Sequence, residues 1–298
     1  VKRPFRKTNS RPHDSQKVAL TARDVTWDWS DLPRHYLGDD PVATHVANGI
    51  NLLLPEGEIF FVDAFRQALP LIRDETVRED VIGFIGQEAT HSSSHQTLLD
   101  YQQSIGLDVE EYTRQIQWFF RKLMGDRELS GRRGRAWLLE RVAVVAAIEH
   151  FTSWLGNWGL NNEAWKTEME PRVLDLFLWH LAEEVEHRHV AFDLFTHLDG
   201  RYWRRVRAWF AASPVLALLW IRGTRYLMSV DPALPSHSRK VRLRDVRRAW
   251  RRGLIFSPWE IAQMWVQYLR PSYHPRNYAS TSQAVAYLAA SPAAQAAE

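Results

Sequence analysis

The sequence predicts an all-α protein, a four-helix bundle core followed by further helices, and three observations carry that expectation. Apolar residues recur at helical spacing: Phe61, Phe65 and Leu69 step by one helical turn and keep one face apolar. No segment alternates apolar and polar residues as a half-buried strand would, and there is no internal repeat of roughly 20–50 residues. Two Glu-x-x-His motifs, each preceded by a lone glutamate on an earlier helix, ask for four helices that meet at one place.

Each element has its own signal. Residues 1–20 are polar and basic without periodicity, which predicts a flexible tail. Residues 21–285 are expected to form a single helical domain, with the bundle core at about 45–198 and accessory helices at about 201–285. The Ala-rich stretch 286–298 is expected to be a second flexible tail. Scattered Trp, Pro and Asp over 21–45 predict irregular chain packed over a core. Helical character begins near Thr44, and Pro55 and Gly57 punctuate the segment before Glu58-Ile-Phe-Phe. A second helix is expected over Asp74–Ser104, opened by acidic residues and closed by Gly106. A third covers about Val109–Met124, and the charged, Gly-punctuated segment 125–134 reads as a loop. A fourth is expected over Arg135–Gly156 and a fifth over Pro171–Leu198, with proline in its first turn. Beyond Gly200 come a basic, Trp-rich helix, a Pro/Ser loop near 231–238 and another basic helix.

Composition narrows the chemistry. The chain has 298 residues, 45% hydrophobic and 24% charged, as an ordinary soluble protein does. With no cysteine it has no disulfide, no thiolate nucleophile and no Cys-ligated iron–sulfur cluster. A metal site must then use His, Asp and Glu, which favours Fe, Mn or Zn. The same absence, and an N-terminal Val-Lys-Arg-Pro-Phe-Arg-Lys with no apolar run after it, predict a cytoplasmic location. The longest apolar stretch, Ala208 to Ile221, contains Pro214 and falls short of the roughly 20 residues a spanning helix needs. Residues 201–228 mix Trp, Arg and aliphatics, which fits peripheral contact with a membrane, packing over the bundle, or a homodimer contact. A net charge of +3 does not point to nucleic acid, and no binding motif accompanies the basic run Arg239–Arg252.

The motifs that carry chemistry are Glu88-Ala-Thr-His91 and Glu184-Val-Glu-His187. Positions i and i+3 share a helix face, so each motif aims a carboxylate and an imidazole at one point. Glu58 and Glu149 precede them, each by about one helical hairpin. The order Glu, Glu-x-x-His, Glu, Glu-x-x-His matches the ligand set of ferritin-like di-iron and di-manganese carboxylate bundles. Two nearby divalent cations repel, and four carboxylates neutralise and bridge them. A lone Glu-x-x-His is usually part of a solvated helix face. Here Phe84, Ile85 and Leu98 flank the first motif and Phe177, Leu181 and Phe192 the second, and ionisable groups beside an apolar stripe are costly unless paired or metal-bound.

His180, one turn before Glu184, offers a third imidazole, its alternative role being a core histidine bonded to a carbonyl. His95, one turn after His91, is a rival ligand; with Gln87 and Asp193 it is better placed behind the ligands, orienting them. His150 faces away from its neighbour Glu149 and reads as an ordinary packed or surface residue. Phe61, Phe65, Phe84 and Phe151 would line a pocket or simply fill core.

The runs Leu54-Pro-Glu-Gly-Glu58-Ile-Phe-Phe, Gly86-Gln-Glu88-Ala-Thr-His91 and His180-Leu-Ala-Glu-Glu184-Val-Glu-His187-Arg-His-Val-Ala-Phe-Asp193 resemble a bacterial family catalogued as predicted metal-dependent hydrolases. His180, Glu184 and His187 also resemble the p-aminobenzoate N-oxygenase group, di-iron enzymes with an extra histidine ligand that oxidise arylamines. That resemblance implies Glu58, Glu88, His91, Glu149, His180, Glu184 and His187 as metal ligands. The group tends to place Asp before each Glu-x-x-His, where this chain has Gln87 and Glu183.

The leading expectation is an oxygenase or oxidase that holds two Fe ions, or a Mn/Fe or other divalent pair. It would use O2 as co-substrate, an external electron donor, and a small or lipid-like organic substrate, with N-oxygenation as one outcome. The alternative is a two-metal hydrolase. Against it, Gln87 precedes Glu88 where a His-Glu-x-x-His motif needs histidine, and Glu184 follows Glu183 where the inverted zinc pattern needs histidine. A non-enzymatic metal store or membrane-attached scaffold is the third reading.

Overall fold

The structure, a computed structural model, describes residues 18–297, so most of the expected tail at 1–20 lies outside the described residues. Residues 18–40 run without helix, yet Val25, Trp29, Leu32, Tyr36 and Leu37 are buried. The indole N–H groups of Trp27 and Trp29 donate to Asp175 and Thr97, so this segment is clamped across the bundle helices.

Helix α1 (Pro41–Asn51) is capped by Asp40, whose carboxylate accepts from the Val42 and Ala43 amides. The bundle begins with α2 (Leu54–Ala68), which takes Pro55 in its first turn. A short connection leads to α3 (Glu75–Ser104), capped by Asp74, and α3 packs along α2. The crossing segment holds α4 (Glu110–Trp118), which passes into a π-helical turn over Phe119–Leu123. The second pair comprises α5 (Gly131–Leu160) and, after the short α6 (Glu163–Glu168), α7 (Pro171–His187), capped by Glu170. Contacts of α5 with α2 and of α7 with α3 close the four-helix bundle.

Two sequence expectations need correction here. The fifth helix is not continuous to Leu198: it breaks at Arg188–His189 and resumes as α8 (Val190–Leu198). At the break the Arg188 guanidinium donates to the Val185 carbonyl, one of the acceptors a helix end leaves without an intrahelical donor. The fourth helix, expected over about Arg135–Gly156, starts earlier, at Gly131 inside the segment read as a loop, and runs on to Leu160. A Cβ on Gly156 would stand 2.7 Å from the Leu181 carbonyl oxygen and 3.0 Å from Val185, so this glycine lets α5 lie close against α7. Close packing outweighs its poor helix propensity.

Beyond the bundle, α9 (Tyr202–Val230) is one helix despite Pro214, and it packs on α1 and α5. It is followed by α10 (Leu243–Arg251), α11 (Pro258–Gln267), α12 (Thr281–Leu288) and α13 (Pro292–Ala296). Residues 286–296, read from composition as a tail, are largely helical and packed: Ala293 and Ala294 are buried, and the Ala293 amide donates to Asp175. Alanine is the best helix former, and α7 gives this end a surface to pack on. Among the described residues no helix is long and apolar enough to cross a membrane.

Candidate metal centre

The bundle brings the seven candidate ligands together. Glu58 comes from α2, Glu88 and His91 from α3, Glu149 from α5, and His180, Glu184 and His187 from one face of α7. All seven are buried. Their ligand atoms form two groups, Glu58–His91–His180 and Glu88–Glu149–Glu184–His187, with the atoms of each group within 4.8 Å of one another. Glu88 and Glu184 link the groups. His187 Nε2 lies 3.2 Å from Glu88, 3.4 Å from Glu149 and 3.4 Å from Glu184, while His180 Nε2 lies 2.8 Å from Glu184 and 3.6 Å from Glu58. His91 Nδ1 is 3.8 Å from Glu88 and 3.9 Å from Glu184.

Each imidazole is held from behind. His91 Nε2 bonds to Glu183 Oε2 at 2.9 Å, and the other Glu183 oxygen accepts from Arg23. His187 Nδ1 bonds to the Gln87 carbonyl at 3.0 Å, and the Gln87 amide donates to Glu186 at 3.2 Å. His180 Nδ1 bonds to His95 Nε2 at 2.6 Å, and His95 Nδ1 in turn bonds to Asn51 Oδ1 at 2.6 Å. Assigning protons along these networks puts N–H on the outer nitrogen of all three rings. Once the ring is neutral, the inner nitrogen of each is the one with a lone pair facing the carboxylates, as a metal ligand requires.

His95 therefore stands behind His180, and Gln87 behind His187. Asp193 does neither: it pairs with His274 at 3.0 Å and Arg276 at 2.9 Å, because the break after His187 starts a new helix with a new phase. His150 is an ordinary packed residue, bonded to the Tyr273 hydroxyl and the Met264 carbonyl. Phe84 packs its ring 4.7 Å from His187 and is itself stacked on Phe65, so these two fill core; Phe61 and Phe151 line a pocket. The sequence reading missed Arg23 and Asn51, and saw Glu183 only as a departure from a pattern. Arg23 and Asn51 bear on the site only through contacts made by folding.

The donor set fits divalent cations. Both oxygens of Glu58 and Glu88, one oxygen each of Glu149 and Glu184, His91 Nδ1 and His187 Nε2 are buried without a hydrogen bond. Such atoms cost free energy unless something binds them, and two divalent ions among four carboxylates would both satisfy and neutralise the cluster. Protons take that part in the metal-free chain. Burial and neighbouring Glu88 push the Glu58 carboxyl well up, and burial with the Glu184 charge pushes Glu149 up to about 8. For His91 burial acts downward, but Glu183 and Glu88 outweigh it and raise the imidazole to about 10. His187 is likewise raised: burial opposes the charge, but Glu184 and then Glu149 prevail. Burial, and then the nearby His180, keep His95 neutral, in keeping with its place behind a ligand.

A third group, His35, His45 and Asp231, lies away from the bundle centre. Both Nε2 atoms meet the same Asp231 oxygen, at 2.7 and 2.9 Å. Those are ordinary hydrogen-bond lengths, and they staple α1 to the end of α9.

Fold and centre together define a helical-bundle protein with two facing His/Glu groups suited to divalent metal. The chain belongs to the family described as predicted metal-dependent hydrolase, whose model matches residues 21–279. No curated protein and no solved structure matches it.

Proposed function

We propose that the chain is a di-iron oxidoreductase that activates dioxygen and oxidises an apolar organic substrate. The observation that carries this reading is the pocket on the metal-facing side. It has a volume of about 70 Å³ and meets Glu58, His180 and Glu184, with Phe61, Phe151, Leu155 and Phe177 among its walls. Thr152 supplies the only hydroxyl there, and that hydroxyl is already bonded to Glu149. Apart from the candidate metal ligands, the walls offer no group to carry a proton to a leaving atom as hydrolysis needs, and an apolar chamber suits an oxidant that must be kept from water. A reduced iron pair held by the seven ligands would supply electrons to dioxygen, renewed by an external donor. The chain's own part is to balance charge with four carboxylates, to fix three imidazoles through Glu183, Gln87 and His95, and to exclude water with the aromatic walls.

The family's description favours a second reading, a two-metal hydrolase in which a metal-activated water attacks the substrate. Oxygen uptake separates the two. Protein loaded anaerobically with Fe(II) should consume O2 rapidly on mixing, and the Glu149→Ala and Glu184→Ala variants should not. Absence of uptake, together with ester hydrolysis by the zinc-loaded protein, would hand the site to the hydrolase reading.

A further inference from the structure

The apolar pocket shares part of its wall with something larger. Phe151, Leu216 and Trp220 also line a hollow of about 910 Å³ among α9, α10 and α11. That volume is at the upper end of small-molecule sites, and the hollow is far too large to be a packing defect. Its remaining lining is overwhelmingly apolar, including Trp209, Pro214, Ala217 and Phe256. The three shared side chains are thus a partition between the metal pocket and a chamber open to the surface.

Two cations break the apolar lining, Arg225 on α9 and Arg247 on α10, and both are exposed. Among the described residues neither forms an ion pair, whereas the adjacent Arg248 is paired with Asp40 and Asp245. Unpartnered guanidinium groups beside a deep apolar hollow complement an anionic head on a hydrocarbon chain: the fork of N–H donors takes the carboxylate and the hollow takes the tail. The partition is made of side chains with a defined setting. The Trp220 indole donates to the Val46 carbonyl at 2.7 Å, and its ring meets Phe151 edge-on at 5.7 Å between centroids. It lies so close to α1 that a Cβ on Gly49 would stand 2.7 Å from the indole.

We propose that this chamber binds a long-chain carboxylate, its head on Arg225 and Arg247 and its hydrocarbon end directed past Phe151, Leu216 and Trp220 toward the metal pocket. The proposal rests on the oxidoreductase reading only for what happens to the chain; the binding itself does not. It follows that oxidation would fall away from the head, on carbons near the far end.

The test reads binding apart from chemistry. Hexadecanoate, its methyl ester and hexadecyl phosphate are titrated into the protein as purified, with intrinsic Trp fluorescence as the signal and metal content assayed separately. Saturable one-to-one binding of the acid is expected. The Arg225→Gln/Arg247→Gln double variant and the methyl ester should each bind about tenfold more weakly, as loss of a charge-assisted contact implies. Ala217→Trp, which fills the chamber, should abolish binding while leaving metal content unchanged. If that variant fails to fold, hexadecanoate brominated at its far end provides the second measurement: it should quench wild-type fluorescence more than Trp220→Phe fluorescence. Four results would overturn the proposal: no saturable binding, indifference to the Arg variants and the ester, tighter binding of the phosphate, or equal quenching of Trp220→Phe. Retention on anionic vesicles or dimerisation through this face, without hexadecanoate uptake, would also overturn it by giving the surface to another occupant. Metal content without acid binding would sink this proposal alone, and acid binding without metal would sink the metal reading alone.

Discussion

Glu183→Gln is the sharpest probe of how the centre is held. Glu183 is fully buried, takes the Nε2–H of His91 on one oxygen at 2.9 Å and Arg23 on the other. Glutamine has nearly the same shape but only one acceptor. Turning its NH2 group toward Arg23 would set donor against donor, so its oxygen stays with Arg23 and its NH2 faces His91. His91 must then accept at Nε2 and carry its proton on Nδ1, the nitrogen that faces the metal-binding groups. Losing such an outer partner costs roughly 10–100-fold in metal affinity, or about 1.4–2.7 kcal/mol. Stability should fall much less, because Arg23 is 23% exposed and keeps Glu186 at 3.3 Å: about 1 kcal/mol, a shift in Tm of roughly 2–4 °C. The assay is competition with a chelator at two metals per chain, alongside a thermal melt. The loss should be confined to the metal held by Glu58, His91 and His180. Asp193→Asn serves as the control, since Asp193 faces His274 and Arg276 and should leave both affinities unchanged. An unaltered Glu183→Gln titration, or equal weakening of both metals, would refute the reasoning.

Three further outcomes are expected. Metal affinity should rise with pH, because the metal-free chain holds protons that the ions displace; the rise should continue to about 8, where Glu149 loses its proton, and on toward about 10 for His91, and a flat profile in loading titrations from pH 6 to 9 would contradict it. Stripping the metal should leave buried atoms unsatisfied and lower Tm by about 8–16 °C for each ion lost, on the order of 4 kcal/mol per ion when free metal is a thousandfold above its Kd; melts with and without chelator measure this. Gly156→Ala should destabilise the fold by about 1–2 kcal/mol despite the better helix former, because the backbone of Leu181 cannot yield, and it should weaken metal binding by moving Glu149 away from Glu184; a stabilised variant would show that α5 and α7 have slack there.

Much of this was legible in the residues, and the boundary of legibility has a physical cause. Helical spacing fixes which side chains share a face, so Glu88 with His91, and His180 with Glu184 and His187, could be grouped before any contact was known. Glu58 and Glu149 followed from chain order, since a hairpin must return its partner helix to the same level. What spacing cannot supply is contact between distant segments. Arg23 reaches Glu183 from the other end of the chain, and Asn51 meets His95 from a different helix, so neither had a local signature. Phase arguments also fail wherever a helix breaks: Asp193 would sit near the ligands only on an unbroken helix, and the interruption after His187 turns it toward His274.

The two ligand groups stand differently toward the apolar pocket. Glu88, Glu149, Glu184 and His187 form one group and Glu58, His91 and His180 the other, with a second oxygen of Glu88 and of Glu184 facing His91 or His180. Of the seven, the residues that line the pocket are Glu58, His180 and Glu184. Two of these three belong to the Glu58–His91–His180 group, so that group is the one turned toward the side from which an apolar molecule would come, with Glu88, Glu149 and His187 behind it. The group that faces the pocket is also the one that should depend most on the Glu183 and His95 contacts that aim His91 and His180.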